Sequence, residues 1–204
     1  KGIPQGNNAS PQIANLTLSM MEYEFIKNTV DIKHSLAFSL NKTFRYIDDI
    51  IHISSKANQF IEATKQIYHT SLTLERTNSE EKRAAFLDLD IIIHPNGKTK
   101  TSLYNKTDDY SFKVIKYPHF NSSVPLRIGL NTLHGELIRI YRTCSEKKEF
   151  LERCLQLIEN YRTNNYHITL IAGKVSKTLS RNPVISMKYN TTNGEFIEFF
   201  FRKS

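Results

Sequence analysis

The sequence predicts an α+β fold, with antiparallel strands and packed helices first and a mostly helical region after them. Three observations carry that expectation. Residues 43–54 read as two short β-rich runs meeting at an acidic pair. Residues 86–104 read as a longer hairpin closed at Asn96-Gly97, a favoured pair for a type I′ turn. After Pro118 and Pro125 the apolar residues recur every three or four positions, the period of a helix with one buried face. The composition shifts near residue 110, from β-rich and mixed to helical and basic. It divides the chain into 1–108, 109–182 and a closing hairpin or tail over 183–204.

Each element has a local reason. A Gly/Pro/Asn-rich loop precedes Ser10-Pro11, which reads as a helix start with Ser10 as N-cap and Pro11 in the first turn. Ile13, Leu16, Met20, Met21 and Phe25 then predict a helix over 11–28 with those residues inward. A second amphipathic helix is expected over 56–70, with Phe60, Ile61, Ile67 and Tyr68 inward, followed by a short edge strand at 72–75. In the longer hairpin, 86–93 forms one strand and 99–104 the return. Leu130, Leu133, Leu137, Ile138 and Tyr141 share a face of the next helix. Phe150, Leu151, Cys154, Leu155 and Ile158 share a face of the one after, and 167–180 forms a third. Asn193-Gly194 closes a last hairpin-like pair ending in Phe199-Phe200-Phe201.

Bulk properties narrow the partners. The chain of 204 residues carries a net charge of +8, which favours polyanions, either nucleic acid or an anionic membrane face. The same charge is also found on ordinary basic proteins. No apolar run approaches a membrane span, and no secretory segment is apparent, so neither a transmembrane helix nor a membrane partner is expected. Two cysteines, Cys144 and Cys154, sit in no metal-type cluster and make no disulfide framework. The expected setting is intracellular and reducing, and a nucleus fits; the oligomeric state stays open.

The motif richest in chemistry is Tyr46-Ile47-Asp48-Asp49. Two adjacent carboxylates at a tight turn repel each other, and the penalty grows with burial. A magnesium ion relieves it, since it takes hard oxygen ligands from one or two carboxylates, phosphates and water. Apolar neighbours on both sides would hold such a pair rigidly, which suits metal-assisted phosphoryl transfer. A bare Asp-Asp more often serves as a polar turn; the aromatic-x-Asp-Asp form between apolar strands weakens that reading. The second motif is the loop Gly2-Ile3-Pro4-Gln5-Gly6 ahead of Ser10-Pro11. Its glycines permit close backbone approach, and the helix N-terminus behind it favours an anion. Taken alone, it is also an ordinary loop with a helix cap.

Together, a Pro-Gln-Gly loop before a Ser-Pro helix, and Tyr-x-Asp-Asp about forty residues later, closely resemble the reverse transcriptase family. The segments 72–75, 86–88, 103–108, 117–122 and 139–145 extend the likeness toward Penelope-like retroelement enzymes, over roughly residues 1 to 175. The resemblance implies a polymerase palm followed by a helical thumb, and RNA-directed DNA synthesis on an RNA template and DNA primer duplex from dNTPs, with Mg2+ (or Mn2+). It makes Asp48 a direct metal ligand and catalytic residue, with Asp49 as its partner. Pro4, Gln5, Gly6 and Tyr46 would line the nucleotide and template site. The 86–104 hairpin would be the primer grip. Arg127, Arg139, Arg142, Lys174 and Lys177 would contact duplex phosphates.

Two departures are expected from the same resemblance. The family's other catalytic Asp lies on a strand N-terminal to the Pro-Gln-Gly loop, and the fingers also lie upstream. Both are expected to be missing here, leaving an isolated chain inactive, as a fragment or relic. A GIY-YIG endonuclease has no room after residue 180. The alternative is a non-catalytic reverse-transcriptase-like module that binds nucleic acid or scaffolds a ribonucleoprotein. A third reading is an RNA-dependent RNA polymerase, which would more often carry Gly-Asp-Asp at the corresponding turn, whereas Tyr46 favours a reverse transcriptase.

Overall fold

A computed structural model describes residues 4, 6–30, 34–55, 57–112 and 114–202. Among them, eight α-helices and two antiparallel sheets, one of two strands and one of three, make an α+β fold. The chain divides into two units, Lys1–Thr77 and Asn78–Ser204.

The first unit contains α1 (Ser10–Val30), α2 (His34–Leu40), the hairpin β1 (Thr43–Tyr46) and β2 (Asp49–His52), and α3 (Ala57–Ile67). The entry to α1 differs from the expected Ser10 cap. Asn7 accepts the Ala9 N–H at 3.0 Å through its side chain, while the Ser10 hydroxyl donates to the Pro4 carbonyl at 2.6 Å. Ser10 therefore ties the preceding loop back onto the helix. The inward face of α1 also differs. Ala14, Leu18, Met21, Glu22 and Phe25 are half-buried, whereas Ile13, Leu16 and Met20 are exposed. Two apolar stripes run along this helix, and spacing alone does not say which one packs. In α3, Ala63 and Thr64 are buried and Phe60 stacks on His52 at 4.2 Å, but Ile61 faces out. Residues 72–75 form no strand; Leu72 and Leu74 lie exposed, and the sheet of this unit ends with β1 and β2.

The second unit opens with a three-stranded sheet, β3 (Arg83–Phe86), β4 (Leu89–Ile93) and β5 (Thr99–Leu103), in that spatial order. The strand expected over 86–93 is broken by a corner at Leu87-Asp88, where Leu87 takes φ +54°. The turn at Asn96-Gly97 is also different from type I′. Pro95 holds φ negative at the first turn position, so a type I turn forms over Pro95-Asn96. The Gly97 N–H donates to His94 O, His94 N–H donates to Lys98 O, and Gly97 itself takes φ +78°. This is the three-residue loop with a glycine bulge. Ser145 seals the edge of β5: its N–H donates to Thr101 O, and its hydroxyl accepts the Thr101 N–H.

Five helices follow: α4 (Leu126–Thr143), α5 (Lys147–Thr163), α6 (Ile168–Arg181), α7 (Pro183–Tyr189) and α8 (Asn193–Phe201). The expected helical faces of α4 to α6 are present. Leu133 and Leu137, Phe150 and Cys154, and Ile171 and Val175 form one core with Tyr161 and Phe196, while Leu155 faces out. Both cysteines are fully buried free thiols. The three-stranded sheet packs on α4 and α5 and so belongs with the helices, not with the first hairpin. The hairpin or tail expected over 183–204 is two helices instead. The signal overlooked was Thr192-x-x-Glu195, a capping box. The Thr192 hydroxyl accepts the Glu195 N–H at 3.2 Å, and the Glu195 carboxylate accepts the Thr192 N–H at 2.7 Å.

Candidate acidic corner and basic groove

The acidic pair sits where the hairpin signal put it, at the corner joining β1 to β2. Tyr46 pairs directly with Asp49 across the strands, and Ile47 and Asp48 make the turn. Ile47 takes φ +54°, a region that crowds a β-branched side chain against the backbone. Such strain persists only where neighbours hold it. The neighbour that holds it is Arg45. Its guanidinium donates to the Ile47 carbonyl at 3.2 Å, the Asn15 side chain at 2.8 Å, the Ser19 hydroxyl at 2.9 Å and the Glu22 carboxylate at 2.5 Å. The Tyr68 hydroxyl donates to the same Glu22 at 2.6 Å. Burial, then the Glu22 bond, pushes the Tyr68 phenol well up from its usual range, so it stays protonated as a donor. The Arg45 side chain is 8% exposed and the Glu22 side chain 26%. A forked cation in a mostly buried site thus anchors the corner to α1, and Tyr68, just past α3, joins the same carboxylate.

Alternation along the strands then sorts the faces. Thr43, Arg45, Ile50 and His52 turn toward the helices, and Phe44, Tyr46, Asp49 and Ile51 share the other face. Phe44 and Tyr46 are more than half exposed. Asp48 and Asp49 are both exposed, and among the described residues neither carboxylate has a hydrogen bond or an ion pair. Two open carboxylates on a rigid corner beside an aromatic surface are a donor set that suits a hard divalent cation. Among the described residues, no group of three or more His, Cys, Asp and Glu side chains gathers at one point.

The loop ahead of α1 contributes less than its motif implies. Gln5 lies outside the described residues. Gly6 takes φ +84°, with open space where a Cβ would stand, so the backbone conformation demands glycine and no close approach does. Pro4 is exposed, and its carbonyl takes the Ser10 hydroxyl. Among the described residues, no hydrogen bond joins Pro4 or Gly6 to the acidic corner.

In the second unit the five candidate phosphate contacts separate. Arg139 is committed: it donates to both Asp88 oxygens, at 2.9 and 2.6 Å, and lies against Glu136 at 3.3 Å. That pair holds Asp88 below the usual carboxylate range and ties the Leu87-Asp88 corner to α4. Arg127 and Arg142 are exposed on α4. Lys174 and Lys177 line a groove between α4 and α6 together with Asn131, His134, Thr178 and Arg181. Lys174 donates to Asn131 at 3.0 Å, and His134 Nδ1 meets the Thr178 hydroxyl at 2.9 Å. Burial lowers the Lys174 pKa, and Lys177, Arg181 and Arg127 lower it further. Among the described residues, Lys174, Lys177 and Arg181 form no ion pair with a carboxylate. Sequence reading missed His134, Asn131 and Arg181, because only the packing of α4 on α6 brings them to the lysines.

No family model matches the chain, no curated protein matches it in sequence, and no solved structure matches its fold. Among the described residues, no helix is long and apolar enough to cross a membrane.

Proposed function

We propose that the chain is the palm-and-thumb portion of an RNA-directed DNA polymerase, with Asp48 and Asp49 as its metal-holding carboxylates. The single observation carrying this reading is the Asp48-Asp49 pair, without a partner among the described residues, on a strained hairpin corner that Arg45 locks to α1. Asp48 and Asp49 would hold Mg2+ or Mn2+. Bound there, the metal would activate a primer 3′-hydroxyl and stabilise the pyrophosphate that leaves. The chain's own part is positional. Arg45 keeps the corner from relaxing, and Phe44 and Tyr46 offer a flat apolar surface beside Asp49 for a sugar or base. The cations of the α4–α6 groove supply attraction for a duplex backbone. A non-catalytic nucleic-acid-binding module is the second reading, favoured by that groove, which needs no chemistry to bind.

The test has two arms. In this chain, Mn2+ should broaden the amide resonances of residues 46–50, and Asp48→Asn with Asp49→Asn should abolish the broadening. In the longest polypeptide its gene encodes, Asp48→Asn should cut primer extension on RNA roughly 10³-fold while duplex binding survives. Extension by that variant at the unaltered rate removes the catalytic reading. Duplex binding without metal-dependent extension in the unaltered protein favours the module.

A further inference from the structure

We propose that the groove between α4 and α6 seats a phosphodiester of a nucleic-acid backbone, and that His134 takes up a proton from solvent as the phosphate enters. The inference rests on the nucleic-acid reading above and adds to it one defined seat and its proton linkage.

The groove encloses about 110 Å³ and is lined by Asn131, His134, Lys174, Lys177, Thr178 and Arg181. The groove is open to solvent and roomy enough to admit a phosphate group. Its walls carry Lys174, Lys177 and Arg181, with no carboxylate among the lining residues, and α6 has no acidic residue along its length. Lys174 is half-buried and held by Asn131, so an anion meets one cation already in place, with Lys177 and Arg181 exposed on the same helix beside it. An anionic membrane face would need apolar side chains around the cations to enter the interface. The groove offers none, which favours a backbone phosphate.

The proton linkage follows from the hydrogen bonds. The Thr178 hydroxyl has one proton, and it donates that proton to the Lys174 carbonyl at 2.9 Å. His134 Nδ1 must then be the donor in its 2.9 Å contact with the Thr178 oxygen. The ring is therefore the Nδ1–H tautomer, and Nε2 keeps its lone pair. Lys174 and Arg181 of α6 are the charged groups that bear on the ring; no carboxylate of α5 or β5, the other elements packed on α4, does so. Burial, and then these two cations, depress the His134 pKa and leave the ring neutral before anything binds. A phosphate brings negative charge to the same cations and reverses the balance. Nε2 then gains a proton and becomes a donor to the phosphate oxygen. Affinity rises as pH falls, with a limit of about tenfold per pH unit for one proton taken up.

The experiment uses the full chain and a short RNA–DNA hybrid duplex. Calorimetry in buffers of different ionisation enthalpy should show net proton uptake near neutral pH. His134→Gln, which keeps a partner for Thr178, should abolish the uptake and flatten the pH dependence while leaving the salt dependence. The triple variant K174Q/K177Q/R181Q should bind more than tenfold more weakly, and its log K against log salt slope should fall by about 1, at ~0.9 per lost phosphate contact. Unchanged uptake in His134→Gln overturns the linkage. An unchanged salt slope in the triple variant overturns the seat, and the polymerase reading survives both results. Failure of the unaltered chain to bind the hybrid removes the seat and the nucleic-acid reading together. Triple-sensitive binding to phosphatidylserine vesicles without hybrid binding does the same.

Discussion

Arg45 is the residue on which the first unit's geometry turns. Strand alternation places an arginine, not an aliphatic residue, against the helices, while Phe44 and Tyr46 face out. A charge that is 8% exposed is tolerated because every limb of the fork has an acceptor, and Glu22 supplies the opposite charge. Lysine keeps the charge but not the fork. We expect Arg45→Lys to lower stability by about 1–2 kcal/mol in urea denaturation. Mn2+ affinity at the acidic corner should fall roughly tenfold, as when other supports of metal ligands are removed. Unaltered metal affinity in a destabilised variant would reduce Arg45 to a purely structural part. The network was not legible in the sequence, since it joins Asn15, Ser19 and Glu22 of α1 to Arg45 of β1, Ile47 in the turn and Tyr68 past α3. The Asp48-Asp49 corner was legible, because an aromatic-x-Asp-Asp run between β-branched residues is a local signal.

Among the elements, α4 shows how packing overrides propensity. Gly129 in an exposed helix would cost nearly 1 kcal/mol relative to alanine. Here a Cβ would stand 2.1 Å from the Tyr166 hydroxyl, and the Tyr161 hydroxyl donates to the Gly129 carbonyl at 2.8 Å. Tyr166 cannot swing away freely, because its ring packs against Tyr161 and Phe120 at 4.9 and 5.5 Å. Gly129→Ala is therefore expected to destabilise by about 1–2 kcal/mol, the overpacking cost exceeding the helix gain. A higher denaturation midpoint would contradict this. Sequence reading found α1, α3, the β1–β2 hairpin and β5, and for α4, α5 and α6 the long periodic patterns gave the buried face as well. Those misread have short signals with two meanings. Asn193-Gly194 serves a hairpin or a helix start, and Thr192 with Glu195 decides for the helix. The corner at Leu87-Asp88 was hidden because apolar residues continue on both sides of it. Pro95 moved the next turn by one residue.

Across the whole molecule, burial and charge are unevenly shared. Among the described residues, the buried apolar side chains of the first unit are Ala37, Leu40 and Ala63, whereas the large buried aromatics, Phe150, Tyr161 and Phe196, all lie in the second. Each unit holds one histidine whose charged form the fold disfavours. Burial and Lys42 depress the His52 pKa, and its Nε2 is buried without a partner; burial and the groove cations depress that of His134. Because both folded values lie below the unfolded value of roughly 6.5, the unfolded chain binds more protons as the solution is acidified. The stability linked to these rings is complete above that unfolded value and is lost as pH falls through the lower folded values. Chemical denaturation near pH 7.5 and near pH 5.5 should show this loss, and His52→Phe should remove part of it. An equal slope in that variant would assign the effect to other groups.

The buried thiols have a practical consequence for observing the acidic corner. Cys144 and Cys154 are wholly enclosed, and burial pushes both toward the unreactive protonated form. A single cysteine introduced at exposed Phe44 would then take a maleimide fluorophore selectively in the native background. It would report whether a duplex reaches the hairpin's open face, without a cysteine-free version having to be built first.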